Sequence, residues 1–374
     1  MNEQIPYFLK QHQLMESAPG AETIINGEKH LYFGGTGYYG LHNHPVLIQS
    51  AIDALKKYGM SSATSREGYG TTPLILEVEK KAAEYFGTED ASSFASGYLS
   101  NTVGLLALLE YEKFDVIFMD ESSHYSNKDA VSVTNKPVVT FHHLDSGDLQ
   151  EKINQKLKPG EKPLIVTDGI FPLFGEIAPI PDYLAVIEQY NGIIWIDDAH
   201  AVGVLGPKGR GTKDHYELNS SGIYFGGTFS KAFGSFGGII PGSIDFIKSV
   251  RNVSVWKGAN SPPIPATAAT IKAIELLMNT PEMRIKLCQN ANQLKSGLAK
   301  LGFDIAPSNV PIAAWTLKNP EENKKIFNAL LKRKIAIQLT KYGDLNTKVL
   351  RAVVFSTHSS EQIEKLLHEL AKSV

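Results

Sequence analysis

A lysine just past an apolar run, Lys231 in Gly226-Gly227-Thr228-Phe229-Ser230-Lys231-Ala232-Phe233-Gly234, is the first residue in the chain suited to covalent chemistry. An ammonium cannot attack a carbonyl. Lysine becomes a nucleophile near neutral pH only where desolvation or a nearby cation lowers its pKa, as a strand-end cleft does, and the reaction then open to it is Schiff-base formation. A second candidate is Asp197-Asp198-Ala199-His200, directly after the apolar run Ile193-Ile194-Trp195-Ile196. An unpaired buried carboxylate is costly, so an aspartate there calls for a cationic or hydrogen-bonding partner, and a protonated pyridine nitrogen is one. Ser93-Phe94-Ala95-Ser96-Gly97-Tyr98 breaks at small residues into a helix that carries Asn101 and Thr102. Backbone amides at such a start suit a phosphate, and Thr228 and Ser230 offer further donors. Asp120-Glu121-Ser122-Ser123-His124-Tyr125 supplies an imidazole able to lie flat on an aromatic ring.

Taken one at a time, each has a plainer reading: a solvated lysine, a capping aspartate, a serine at a helix start, a capping or solvent-facing histidine. Their common setting is what unites them. In an open α/β sheet ligands sit beyond the carboxyl ends of the strands, and all four follow apolar runs.

The elements that must position these residues alternate short apolar runs with amphipathic stretches, the pattern of a largely parallel sheet joined by crossover helices. The spacing predicts strands at Ala91–Ala95, Val116–Met119, Leu164–Thr167, Ile193–Asp197, Ile223–Gly226 and Gly238–Ile240, and helices at Pro45–Tyr58, Pro73–Phe86, Tyr98–Leu109 and Pro181–Tyr190. Beyond Ser261–Pro265 a long helical region to about Leu301 leads to strand candidates at Phe303–Ile305, Ala313–Leu317, Ala336–Leu339 and Leu350–Phe355, then a helix at Ser360–Lys372. The expected organisation is an amino-terminal arm over 1–42, a large α/β domain over 43–255 with a mainly parallel sheet, and a smaller carboxy-terminal α/β domain over 256–374 that includes the linking helix.

Composition narrows the function classes. With 37 basic against 39 acidic residues, the chain of 374 residues carries a formal charge of -2 and has no field to draw in a nucleic acid. No apolar run approaches the length of a membrane span, and Met1–Gln13 lacks the basic start and apolar centre of a signal peptide, so no membrane partner is expected. Cys288, the lone cysteine, excludes an internal disulfide framework and a cysteine-rich metal cluster, and points to the cytoplasm. His42 with His44, and His142 with His143, lack accompanying metal-ligand patterns, and no GxxxxGK[ST] phosphate loop is present.

With Ser96-Gly97-Tyr98, His124, Asp197-Asp198-Ala199-His200 and Thr228-Phe229-Ser230-Lys231 in chain order, the sequence resembles fold-type I pyridoxal-phosphate enzymes, the aspartate aminotransferase-like fold. Within them it resembles the α-oxoamine synthases, the group that includes 8-amino-7-oxononanoate synthase, 2-amino-3-ketobutyrate CoA ligase and serine palmitoyltransferase. The likeness runs from about Leu31 to the last helix and includes Gly203-Val204-Leu205-Gly206 and Gly209-Arg210-Gly211. It implies pyridoxal 5'-phosphate carried on Lys231, Asp197 on the pyridine nitrogen, His200 on the ring hydroxyl and His124 stacked on the ring. It also implies a phosphate held by Gly97, Tyr98 and Thr228, with Ser96 and Ser230 beside them and Ser261 reaching across from the second subunit of a homodimer. Arg351, in Leu350-Arg351-Ala352-Val353-Val354-Phe355, falls where the family grips the substrate carboxylate. The implied reaction condenses a small amino acid with an acyl-CoA or other acyl thioester, with loss of carbon dioxide, to an α-aminoketone.

Three positions depart from the family pattern on the substrate side: Thr36 where asparagine is usual, Ile75 where histidine is frequent, and Pro172 where serine is common. Another activity on the same scaffold, such as an aminotransferase, is therefore an alternative, as is a scaffold that has lost activity. Gly35-Thr36-Gly37-Tyr38-Tyr39-Gly40 also satisfies GxGxxG, the basis of an NAD-dependent oxidoreductase reading. Against that reading, the next helix starts late, at Pro45, and Asp53 lies inside it.

Overall fold

Near-continuous apolar runs bounded by turns become strands buried on both faces wherever helices cover the sheet. In the computed structural model, which describes residues 13–317, 319–341 and 348–373, Pro163–Asp168 and Ile193–Asp197 are buried at every position. The chain enters through β1 (Glu22–Ile25) and β2 (Glu28–Tyr32), an antiparallel pair. Seven strands then build the main sheet: β3 (Asp90–Phe94), β4 (Val116–Asp120), β5 (Val138–Phe141), β6 (Pro163–Asp168), β7 (Ile193–Asp197), β8 (Ile223–Thr228) and β9 (Gly238–Gly242). Their spatial order is β3-β9-β8-β7-β6-β4-β5. Both pairings of β9 are antiparallel, and the β4–β5, β4–β6, β6–β7 and β7–β8 pairings are parallel. The carboxyl ends of β3, β4, β6, β7 and β8 therefore open on one edge.

A second sheet is built from β10 (Ile312–Trp315), β12 (Gln338–Thr340) and β13 (Val349–Val353), ordered β10-β13-β12. Between them β11 (Ile335–Ala336) pairs in parallel with β2, tying the start of the chain to its last third. The first twelve residues of the expected arm lie outside the described residues.

Helix ends follow local chemistry. Pro45 and Pro73 open helices at the two expected places, Pro45–Tyr58 and Pro73–Phe86, where a missing N–H costs nothing. The helical region before Leu301 is two helices, Ile264–Asn279 and Pro281–Lys300, because Pro281 cannot continue the first. The strand expected at Phe303–Ile305 does not form; this stretch is a connection, with Phe303 packed on Trp315 and Lys295 donating to the Ala306 carbonyl. Strand β5, which the apolar pattern did not suggest, sits at the sheet's edge, where only Phe141 is fully buried. Among the described residues, no helix is long and apolar enough to cross a membrane.

Candidate active site

Strand alternation separates Asp197, which ends β7, from Asp198 directly after it. Successive side chains point to opposite faces, so Asp197 and Asp198 cannot share a partner. Asp198 is fully buried and spent on structure: the Thr212 amide donates to it at 2.8 Å and the Thr212 hydroxyl at 2.5 Å. Burial pushes its carboxyl up to about 7. Asp197 faces the other way and accepts three donors: Asn101 Nδ2 at 2.6 Å, Ser126 Oγ at 3.1 Å and the Ala199 amide at 3.0 Å. These donors are all neutral, so the position keeps room for a cation.

Asn101 is itself held. The Trp195 indole donates to its Oδ1 at 3.0 Å, which leaves the amide nitrogen to face Asp197 and, at 2.9 Å, Ser126 Oγ. Replacing Asn101 with alanine strands a buried indole N–H and removes the strongest donor to Asp197. The expected result is a loss of about 1–3 kcal/mol in folding stability together with lower cofactor affinity, read by urea denaturation and by equilibrium titration. A variant as stable as the parent, with the same affinity, would remove Asn101 from this role.

Lys231 emerges three residues past the end of β8. The turn after it is tight: Gly234 has φ of 62°, and a Cβ there would stand 2.5 Å from Leu41 Cβ. Lys231 Nζ makes no hydrogen bond or ion pair among the described residues, and burial, opposed by Asp197 and Asp168, lowers its amine to about 8. Asp168, at the end of β6, pairs in register with Asp197 and is fully buried beside it. Burial first, and then the neighbouring Asp197, raise its pKa far above the usual carboxylate range.

His124 starts the helix Tyr125–Ser132, and its Nδ1 accepts from the Ser126 amide at 3.2 Å and lies 2.6 Å from Ser126 Oγ. The capping role read from its sequence is thus present, and it holds the ring in a defined place. Burial lowers its pKa, with Asp197 opposing and Lys231 reinforcing. His200 is buried, with Nδ1 2.7 Å from the Tyr38 hydroxyl.

The ends of β3 and β8 meet through β9, where Gly238 is opposite both Phe94 and Thr228. Gly97 packs so closely here that a Cβ would fall 2.6 Å from Thr228 Cβ. Thr228 Oγ1 and Ser230 Oγ are 2.6 Å apart, and Thr228 also donates to the Gly237 carbonyl at 2.9 Å. Ser96 caps the helix Gly97–Tyr111 by accepting the Tyr98 amide at 3.2 Å, and the Tyr98 phenol donates to Asp129. Two hydroxyls and a helix start thus converge on one small space.

Two expected residues lie apart. Ser261 is buried, with its hydroxyl on the Gly70 carbonyl at 2.6 Å rather than on Thr228 or Ser230. Arg351, on β13, reaches the site's other side: its Nε donates to the Pro172 carbonyl at 2.8 Å, and its NH1 group donates to Gly35 O at 3.4 Å and to the Gln338 side chain. Pro172, where a serine hydroxyl was the usual feature, thus contributes a carbonyl. Ile75 is wholly buried in the first turn of its helix, and Gly35–Gly40 follows β2, outside the seven-stranded sheet. His143 bridges Asp120 at 2.9 Å and Glu176 at 3.1 Å, and these acids, against burial, raise it to about 9. It clamps the Pro172 hairpin to the end of β4.

Tyr38, Ser126, Asp168 and Trp195 were not singled out from the sequence as site residues, and Asn101 was noted only as lying on the helix of the phosphate candidate. Asp168 carried a usable signal, since it ends an apolar strand just as Asp197 does. The contact of Tyr38 with a residue 162 positions away carried none.

An unpartnered amine, an acid supported by neutral donors, a neutral imidazole and a hydroxyl-lined helix start fit one ligand bearing an aldehyde, a basic ring nitrogen and a phosphate. Residues 33–370 match the family model described as aminotransferase class I and II. The chain is 33% identical to 8-amino-7-oxononanoate synthase of Alkaliphilus oremlandii, over 97% of its own length and 92% of the relative's. It is 35% identical to the same-named protein of Treponema denticola, over 95% and 90%. Against serine palmitoyltransferase of Sphingobacterium spiritivorum the identity is 31%, over 96% and 90%. The solved structure of a serine palmitoyltransferase from S. paucimobilis superposes with a TM-score of 0.90 at 27% identity, covering 97% of this chain and 92% of that one.

Proposed function

This chain belongs to the class I and II aminotransferase family and to its α-oxoamine synthase branch, and we propose that it condenses a small amino acid with an acyl-CoA thioester on pyridoxal 5'-phosphate, releasing CoA and carbon dioxide and leaving an α-aminoketone. The observation that carries the reading is the half-buried, unpartnered Lys231 amine in the field of Asp197 and Asp168.

When bound, the cofactor supplies an electron sink that spreads the negative charge left at the substrate α-carbon. The chain's residues do the rest. Lys231 would hold the aldehyde carbon, and its amine, lowered to about 8 by burial, is matched to taking the substrate α-proton as general base. Asp197 would hold a proton at the ring nitrogen, His200 would donate to the ring oxygen, and His124 would lie against the ring face. Because Ser96 already takes the Tyr98 amide, we assign the phosphate to the Gly97 amide and the Ser230 hydroxyl, with Thr228 joining them by turning its hydroxyl from the Gly237 carbonyl.

A second copy of the chain completes this reading. Tyr69, Met60 and Phe236 are 97%, 66% and 50% exposed, large apolar side chains that a homodimer would cover, and Ser261 close to Gly70 would then serve the other copy's phosphate. A lone cysteine supports a cytoplasmic setting.

The test is a spectral titration with glycine, alanine and serine, followed by a panel of acyl-CoA thioesters with CoA and carbon dioxide release monitored. Amino transfer to a keto acid without CoA release would replace the synthase reading with an aminotransferase. In the same assay Arg351→Ala is expected to raise the amino-acid KM by roughly 10–100-fold with a smaller change in kcat, the signature of a lost charge-assisted pair. An unchanged KM would remove Arg351 from the carboxylate site.

A further inference from the structure

Tyr38 and His200 are both buried, and the Tyr38 hydroxyl lies 2.7 Å from His200 Nδ1. The rings are tilted by 59° with centroids 6.4 Å apart, so they meet edge to edge through this bond and do not stack. Among the described residues the Tyr38 hydroxyl has no other hydrogen-bond partner. Burial, reinforced by the positive charges of Lys231 and Arg351 and by His124, holds the His200 imidazole neutral, while burial keeps the Tyr38 phenol protonated.

A neutral imidazole carries one N–H, which leaves two arrangements. With the proton on Nδ1, the imidazole would donate to the phenol oxygen, and the phenol O–H would be left buried with no acceptor, at the full cost of its desolvation. With the phenol donating, Nδ1 accepts and the ring proton sits on Nε2. That second nitrogen has no partner among the described residues and is not sealed from solvent.

We infer that Tyr38 is a positioning residue that donates to Nδ1 and thereby fixes His200 as its Nε2–H tautomer, so that the nitrogen reaching the cleft is a hydrogen-bond donor. What stands opposite such a donor must be an acceptor, and an oxyanion is the best one. Under the reading above, on which this second half rests, that acceptor is the ring oxygen of the cofactor. The neighbouring Tyr39 acts elsewhere, because its hydroxyl donates to the Gly203 carbonyl at 2.5 Å and ties down the loop after His200.

The test begins on cofactor-free protein with 15N-labelled histidine, His200 being assigned by its absence in His200→Gln. Long-range proton–nitrogen correlation at neutral pH is expected to show an unprotonated Nδ1 and a protonated Nε2. A protonated Nδ1 overturns the inference whether or not the protein binds the cofactor. In Tyr38→Phe the Nδ1 signal is expected to move to that of a nitrogen with no donor; an unmoved signal also overturns it. In the loaded protein, weaker donation to the ring oxygen is expected to raise the pH midpoint of the visible band by roughly half to one unit in Tyr38→Phe and to leave it in place in Tyr39→Phe. Equal shifts in both variants would mean lost packing and would overturn the tautomer role.

Discussion

Replacing Lys231 with methionine is expected to abolish turnover and, at the same time, to stabilise the cofactor-free fold. The two effects have one origin. The amine is held near 8, against an ordinary value of 10.5, because burial disfavours its charge more than Asp197 and Asp168 favour it. Below about pH 8 both folded and unfolded chains carry the proton, and the folded chain bears the cost of burying it in full. Between about 8 and 10.5 the unfolded lysine holds a proton that the folded one has released, so stability rises with pH through that window. An apolar side chain of similar length removes the cost, which corresponds to up to about 3 kcal/mol at pH 7, less whatever solvent screening takes away. Urea denaturation of the cofactor-free proteins should therefore show the variant ahead at pH 7 and the gap closing toward pH 10.5. Catalysis moves the other way. Losing both the covalent attachment and the general base should lower kcat by at least about 10³-fold and remove the borohydride-sensitive visible band. Normal turnover by the variant would refute the whole mechanism. A variant less stable at pH 7 would mean that the lysine has a partner the fold relies on.

How much of this was legible in the sequence depended on distance along the chain. The strands β6 and β7 announced themselves because burial between helices on both faces calls for near-continuous apolar runs, and the helices opening at Pro45 and Pro73 were bounded by proline before and glycine after. The edge strand β5 was hidden because Thr140 cuts its apolar run to Val138 and Val139, and Phe303–Ile305 misled because Phe303 and Ile305 pack on the core from a connection and not as part of a ladder. At the site, residues that end strands were readable, since the rule that ligands lie beyond carboxyl ends needs no long-range information. Residues that act through another side chain were not. Asn101 matters only because Trp195 turns its amide toward Asp197, and Ser126 only because His124 and Asp197 converge on it. Neither fact is a property of local spacing. The departures at Thr36, Ile75 and Pro172 also looked alike as letters and differ in space: Ile75 is a core residue, whereas Pro172 lends its carbonyl to Arg351.

Asp197→Asn is expected to lower kcat by roughly 10²–10³-fold while leaving the fold intact, because the surroundings dictate how an amide must sit there. Asn101 and Ser126 both donate toward Oδ2, so that position must remain an oxygen. The amide nitrogen is then forced to the Oδ1 side, where the Ala199 N–H already points and which the proposed function leaves for the ring nitrogen. A donor facing that nitrogen can no longer hold a proton on it, and the charge left at the substrate α-carbon loses its outlet. The cost falls on bond breaking more than on substrate capture, so kcat should drop further than KM rises, and exchange of the substrate α-proton with solvent should slow in parallel. The crowding of two N–H groups near Oδ1 should also weaken cofactor affinity by about tenfold, a loss of one hydrogen bond's worth. An asparagine variant that exchanges the α-proton at the parent rate would show that the ring nitrogen does not depend on Asp197, and the assignment of the acid would then pass to Asp168, its neighbour in register on β6.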